Sequence, residues 1–144
     1  MAETDQVSIL GNLSKDDRAR LDALLCEMSN AAGFKQTLDR LLSGWRDFVL
    51  QVERKYDDSI YEYLNDLSVR DSLARLVQTL SHEGRDVLTK VIQPLDERFI
   101  AATNETSQPL VKLSDGESLA WWYYRVPANP GKELLDDLQS ERLL

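Results

Sequence analysis

One long amphipathic stretch decides the fold. Residues 34–56 read FKQTLDRLLSGWRDFVLQVERKY. At the helical period of 3.6 residues, its apolar side chains fall within about a third of the helix circumference. They are Phe34, Leu38, Leu41, Leu42, Trp45, Phe48, Val49, Val52 and Tyr56. A helix of this length spans about 34 Å at 1.5 Å per residue, so we expect the rest of the chain to cover its apolar face.

A second helix is expected immediately before this stretch. Ser14 suits an N-cap, and two aspartates follow it in the first turn. The helix should continue to Ala32, because Gly33 suits a left-handed C-terminal cap. Residues 1–12 are expected to form a flexible arm whose apolar side chains dock onto the core.

The chain after residue 56 carries two apolar sets on opposite helix faces. The first set is Ile60, Tyr63, Leu64 and Leu67, and the second is Val69, Leu73, Leu76, Val77 and Leu80. One straight helix could not bury both sets against the same neighbour. Ser68 and Asp71 resemble a capping box. We therefore predict two helices, over 59–67 and 69–80, with a break at Ser68.

A further helix is predicted over residues 85–103, after a turn at 81–84. Pro94 lies inside its apolar pattern and lacks the N–H that a helix interior uses, so a bend or a break is expected there. Together these elements predict an all-α fold. It would be an irregular antiparallel bundle of four to five helices over 13–104, with an aromatic arm and a short helix over 105–144 packed on the same domain.

The C-terminal segment permits two interpretations. Residues 110–127 fit a β-hairpin around Asp115 and Gly116, or a helix opened by a capping box of Ser114 and Glu117. Adjacent aromatic residues favour the extended form. Beyond it, an N-cap followed by proline, at residues 129 and 130, predicts a short helix over 132–142.

Composition excludes several classes of protein. The chain has 144 residues with 17 Lys and Arg against 25 Asp and Glu, for a net charge of -8. This charge opposes binding to nucleic acid or an anionic membrane and favours a basic protein partner. One cysteine cannot form an intramolecular disulfide. The absence of a signal pattern or a long apolar run predicts a cytoplasmic protein.

Catalytic signals are weak. The single histidine, His82, falls in a predicted turn, where solvation is expected, and Cys26 is predicted to be a small packing residue. No catalytic residue and no cofactor are therefore predicted. A zinc site built from His and Cys is excluded because one of each supplies too few ligands.

Carboxylates offer an alternative function. Asp58, Glu62 and Asp66 recur at i, i+4 and i+8, and Asp96 and Glu97 could join them across the bundle. Such a set could hold Mg²⁺ or Mn²⁺ in a helical enzyme acting on a phosphorylated small molecule. The same spacing also fits the solvated edge of an apolar stripe.

The sharper feature is a run of four aromatic residues followed by arginine: Trp121, Trp122, Tyr123, Tyr124 and Arg125. Four adjacent aromatics point in too many directions for all to be buried on one face. They could cap the end of the bundle, but Trp, Tyr and Arg are also enriched at binding hot spots. We therefore predict a non-enzymatic protein-binding module of the adaptor, inhibitor or immunity type. Its partner would be another protein or a second copy of the chain.

Overall fold

A computed structural model describes residues 9–111 and 119–142. Within these ranges the chain is mostly helical, which confirms the predicted all-α class. The helices are α1 (Lys15–Ala32), α2 (Leu38–Arg54), α3 (Ile60–Thr79), α4 (His82–Ala101) and α5 (Lys132–Ser140). None of the helices in the described part has the length and apolar composition that a membrane crossing requires.

The chain forms two compact units, each made of two separate stretches. Unit one comprises Met1–Arg46 and Val69–Pro94, and unit two comprises Asp47–Ser68 and Leu95–Leu144. Helices α2, α3 and α4 each contribute to both units. Each unit thus combines parts of the chain that are far apart in sequence. The expected organisation, with segments 13–104 and 105–144 packed on one domain, stays a prediction.

The ends of α1 agree with the prediction. The hydroxyl of Ser14 accepts the backbone N–H of Asp17 at 3.1 Å, and Gly33 adopts a left-handed conformation with φ of 78°. Of the predicted N-terminal arm, residues 1–8 lie outside the described residues, whereas 9–12 are helical and Ile9 is buried. The buried apolar residues of unit one are Ile9, Leu13, Leu21, Met28, Leu38, Leu41, Trp45, Leu73, Leu76, Leu80, Leu88 and Ile92.

Helix α2 is shorter than the stretch 34–56 from which it was predicted. It begins at Leu38, and Phe34 lies before it with half of its surface exposed. The guanidinium carbon of Arg40 lies 5.2 Å from the Phe34 ring centroid. The predicted place of Phe34 on the buried face was therefore wrong. The face itself is confirmed from Leu38 onward except at Leu42, which is only half-buried, and Tyr56 is buried just beyond the helix end.

The predicted break at Ser68 was also wrong, since α3 is continuous from Ile60 to Thr79. The two apolar sets do need different neighbours, and they have them. Residues before Val69 belong to unit two and residues from Val69 onward belong to unit one. The Ser68 hydroxyl donates to the carbonyl of Asn65 at 2.6 Å within the helix instead of capping a new one.

Helix α4 begins earlier than predicted. Ser81 is its N-cap, with its hydroxyl accepting the N–H of Gly84 at 3.3 Å, and the helix starts at His82 rather than Arg85. It continues through Pro94. Of the two outcomes predicted there, a bend or a break, the break does not occur. Pro94 is also the last residue of the unit-one stretch.

Unit two contains a small antiparallel sheet. Strand β1 (Thr103–Glu105) pairs with β2 (Arg125–Pro127) in the register Thr103 to Pro127 and Glu105 to Arg125. The predicted hairpin partner, residues 110–113, is thus replaced by residues that follow α4. The Asp115–Gly116 turn lies outside the described residues. Unit two buries Phe48, Val49, Val52, Tyr56, Ile60, Tyr63, Leu67, Phe99, Leu110, Trp122, Tyr123, Val126, Leu134 and Leu138.

Helix α5 begins at Lys132 as predicted and ends at Ser140 rather than at residue 142, but its N-cap differs from the prediction. Gly131 is the N-cap, whereas the side-chain amide of Asn129 donates to the carbonyl of Arg54 at 2.8 Å. The N–H of Gly131 donates to the carbonyl of Tyr56 at 2.6 Å. Contacts with the end of α2 therefore decide where the last helix begins.

Candidate functional site

The five predicted contact residues form one turn of 3₁₀ helix followed by a strand. Trp121–Tyr124 is the 3₁₀ helix, and Arg125 begins β2. Three residues per turn place the first and fourth aromatic residues on one side and the middle two on the other. Burial follows this period. Trp122 and Tyr123 are buried, whereas Trp121 is 39 % exposed and Tyr124 is half-buried.

Backbone hydrogen bonds hold this turn in place. The carbonyl of Tyr123 accepts the N–H of Leu110 at 2.8 Å, and the carbonyl of Tyr124 accepts the N–H of Thr106 at 2.7 Å. A 3₁₀ turn has few hydrogen bonds of its own. The position of the 3₁₀ turn is therefore set by its hydrogen bonds to the segment that follows α4. The sequence does not reveal these hydrogen bonds, and an extended conformation was favoured for residues 121–124 for that reason.

Ring contacts link the turn to the core of unit two. The ring centroids of Trp121 and Phe99 lie 6.0 Å apart, and those of Trp121 and Trp122 lie 5.4 Å apart at 82°, an edge-to-face arrangement. Such pairs are favourable beyond the area they bury. The inner part of Trp121 is fixed against these rings while part of its surface remains open to solvent.

Arg125 anchors the segment. Its Nε donates to Thr103 Oγ1 at 2.7 Å, and its Nη2 donates to the carbonyls of Ile100 and Thr103 at 3.2 and 3.1 Å. Carbonyls at a helix C-terminus lack partners within the helix and favour a nearby cation. The carbonyl of Arg125 also accepts the buried hydroxyl of Tyr63 at 2.8 Å. The Arg125 side chain therefore stabilises the end of α4, and its backbone carbonyl binds Tyr63.

Two large apolar side chains of this region are exposed, Trp121 and Ile100, and we call them together the Trp121–Ile100 patch. Ile100 follows Phe99, whose ring centroid lies 6.0 Å from that of Trp121. Ile100 is 42 % exposed, and its carbonyl contacts the Arg125 guanidinium beside the Trp121 turn. Ile100 was not selected from the sequence. Its helical period would have placed it off the buried face of α4, but nothing in the sequence associates it with residue 121.

The carboxylates of the alternative site are distributed differently from the prediction. Asp58 Oδ1 accepts the N–H of the neighbouring Ser59, and Asp66 Oδ2 accepts the hydroxyl of Tyr56 at 2.7 Å. The pKa of the Tyr56 hydroxyl is raised above its ordinary value, mainly by burial and secondly by the hydrogen bond to Asp66. Across residues 9–111 and 119–142, no three His, Cys, Asp or Glu side chains are grouped to hold a metal ion. Asp58, Glu62, Asp66, Asp96 and Glu97 are thus not brought together as such a group.

The single histidine and the single cysteine, which were considered as catalytic candidates, are both exposed. His82 is the first residue of α4 and is exposed, with its Nε2 3.9 Å from Asp86 Oδ2. Cys26 is exposed on α1, which corrects its predicted packing role.

An open cavity of about 430 Å³ in unit one was not anticipated from the sequence. Its lining includes four leucines: Leu10, Leu21, Leu25 and Leu38. The Ser29 hydroxyl at its wall accepts the N–H of Gln36 at 2.7 Å and donates to the carbonyl of Leu25 at 2.7 Å. This hydroxyl is therefore already used in joining α1 to the segment before α2.

Comparison with protein-family models, with curated proteins and with solved structures found no match to this chain.

Proposed function

We propose that the protein is a non-enzymatic protein-binding module of the adaptor, inhibitor or immunity type. The observation that carries this proposal is the exposure of Trp121 beside two buried aromatic neighbours. Tryptophan is the residue type most enriched at hot spots, and its apolar area is costly to leave in water. The contact surface is the Trp121–Ile100 patch, which refines the five-residue prediction.

The anchoring of Trp121 supports a role in binding. Ordering a flexible segment at an interface costs free energy that reduces affinity. Here the backbone hydrogen bonds to Leu110 and Thr106 and the ring contact with Phe99 already order the turn. A partner would meet a preformed surface.

A cytoplasmic location belongs to the same proposal. The Cys26 thiol is exposed, and the reducing cytosol keeps such thiols free.

Affinity capture tests the proposal by comparing substitutions at two exposed aromatic residues, Trp121 and Phe34. Tagged full-length protein, Trp121→Ala and the control Phe34→Ala are exposed to lysate of the source cells, and retained proteins are identified by mass spectrometry. Phe34 is an exposed aromatic residue of unit one. We expect a partner that the wild type and Phe34→Ala retain and that Trp121→Ala loses. Removing a hot-spot tryptophan weakens binding by about 30-fold.

A second variant separates loss of binding from loss of fold. Ile100→Ser alters the patch from α4 without changing the 3₁₀ turn, and circular dichroism of each variant reports the fold. Trp121 alone is substituted because Trp122 is buried. Equal capture by wild type, Trp121→Ala and Ile100→Ser would contradict the proposal. Light scattering of the wild type distinguishes self-association from binding of a different protein.

A further inference from the structure

Unit two carries the whole net charge of the protein. Its stretches contain 15 Asp and Glu against 7 Lys and Arg, a formal charge of -8, whereas unit one contains 10 of each. Over the described residues alone, the counts are 13 against 6 in unit two and 8 against 10 in unit one. The asymmetry is therefore present with or without the residues outside those ranges.

Most of the exposed large apolar side chains also belong to unit two. Among the described residues, five large apolar side chains are exposed: Phe34, Leu50, Tyr61, Ile100 and Trp121. Of these, four belong to unit two, and the fifth, Phe34, has the Arg40 guanidinium near its ring. Unit two thus combines negative charge with exposed apolar surface.

Acidic side chains lie close to the Trp121–Ile100 patch. Glu97 precedes Ile100 by three residues on α4, so the two share one side of the helix. Glu105 lies opposite Arg125 in the sheet register, beside the end of the 3₁₀ turn. Both glutamates are exposed. The apolar patch therefore has carboxylates on two elements next to it.

The neighbouring cations are engaged within unit two. Arg98 Nε donates to Glu53 Oε2 at 3.1 Å, and the pKa of Glu53 is lowered mainly by its hydrogen bonds with Arg98. Arg125 is held by Thr103 and the end of α4. The charge of Arg98 is therefore offset by Glu53. Arg125 keeps its positive charge because its partners are neutral, so it offsets one of the two glutamates beside the patch and leaves the surroundings of the patch acidic.

From this arrangement we infer that the partner of the Trp121–Ile100 patch is a protein surface rich in Lys and Arg that places an apolar side chain against Trp121. The inference rests on the proposed function and specifies the chemistry of the partner. A second copy using the same patch in a two-fold interface would bring two charges of -8 together, and like-charge contact opposes binding. Nucleic acids and anionic membranes have the same sign of charge.

A pair of defined peptides tests the inference. One is a synthetic peptide with Lys and Arg around a single leucine, and the other has Glu at every basic position. Each is added to ¹⁵N-labelled full-length protein while amide chemical shifts are recorded. The basic peptide is expected to shift amides around Trp121 and Ile100, and the acidic peptide is not. Shifts centred on unit one, equal responses to both peptides, or no response to either would overturn the inference.

Matched charge variants provide a second readout. Glu97→Gln/Glu105→Gln removes two charges beside the patch, and Glu27→Gln/Glu83→Gln removes two exposed glutamates of unit one. The first pair should weaken binding of the basic peptide by roughly three- to tenfold at low ionic strength, with a smaller effect at high salt. The second pair should leave affinity unchanged. Equal effects of the two pairs would overturn the inference, and thermal melts confirm that all variants fold.

The same variants distinguish failure of this inference from failure of the proposed function. A protein captured through Trp121 whose binding is unchanged by salt and by Glu97→Gln/Glu105→Gln would overturn the basic partner alone. The absence of any Trp121-dependent partner in the lysate would overturn both.

Discussion

The carboxylate of Asp17, in the first turn of α1, accepts the hydroxyl of Ser81 and also its backbone N–H at 2.8 Å. Ser81 is the residue before α4. Asp17 is only 1 % exposed, and Arg20 Nη1 donates to its Oδ1 at 2.9 Å. Negative charge is favoured at helix N-termini, so one carboxylate acts at the starts of two helices of unit one.

The Asp17–Ser81 contact predicts a pH-dependent stability. Hydrogen bonds from the Ser81 hydroxyl and N–H hold the pKa of Asp17 below its ordinary value. A carboxyl whose pKa is lower in the folded state stabilises the fold above the unfolded-state pKa of about 3.9, and this stabilisation is lost as pH falls through the folded-state pKa. Asp17→Asn should therefore lower the urea midpoint at pH 7, and its difference from wild type should shrink below about pH 4. A difference that stays constant from pH 7 to pH 3 would contradict this.

Two helical glycines should respond to alanine with opposite signs. A Cβ on Gly84 would come too close to Asp17 Oδ2 and within 3.0 Å of Leu80 Cβ, whereas a Cβ on Gly44 would meet Val69 Cγ1 at an ordinary 3.5 Å. Gly44→Ala should stabilise the protein by about 0.5–1 kcal/mol through helix propensity. Gly84→Ala should destabilise it by about 1–3 kcal/mol through overpacking. Urea denaturation measures both, and stabilisation by Gly84→Ala would show that Asp17 can move away.

Two tyrosines of α3 should differ in their sensitivity to loss of the hydroxyl. Tyr63→Phe removes the hydrogen bond that the carbonyl of Arg125 accepts from the buried Tyr63 side chain. The expected cost is about 1–3 kcal/mol of unfolding free energy. The control Tyr61→Phe, at a side chain that is 77 % exposed, should change it by less than about 0.5 kcal/mol. Equal effects would mean that the Tyr63 hydroxyl finds another partner.

Gly131 should not tolerate a side chain. A Cβ there would lie 2.8 Å from Asp57 Cα and 2.9 Å from the Tyr56 carbonyl oxygen, and backbone atoms cannot rotate away. Gly131→Ala should therefore weaken the contact of α5 with the end of α2 and cost about 1–3 kcal/mol. Gly11→Ala is the matched control, because a Cβ at Gly11 meets nothing within 4 Å. Thermal unfolding of the two variants checks the difference, and similar melting temperatures would contradict it.

Predictions from local signals agree with the structure where both partners are close in sequence. The Ser14 cap acts on Asp17, and the left-handed Gly33 ends α1 by donating to the carbonyl of Ser29. The same type of signal misled at Ser68 and at Asn129, whose side chains bond to other carbonyls. Asn129 is used by a carbonyl 75 residues away, which no local pattern shows. Ser68 bonds within its own helix, because α3 continues through it and no new helix starts there.

The candidate site was located only in part. The aromatic run was identifiable because Trp, Tyr and Arg are adjacent. Which of its residues is exposed depends on the 3₁₀ turn, and this turn is held by Leu110 and Thr106. The charge asymmetry was equally hidden, since the total of -8 is evident from composition but its assignment to unit two requires the fold.

The sequence by itself determined the helical class, the limits of α1 and the buried face of α2, because caps and helical periods act over a few residues. Only the tertiary structure decided that α3 continues past Ser68, that Asp137 Oδ2 accepts the N–H of Ile60 at the start of α3, and that Trp121 remains exposed. Each of these outcomes depends on contacts between residues far apart in the chain. Such contacts form only when packing brings the residues together, and no local pattern encodes them.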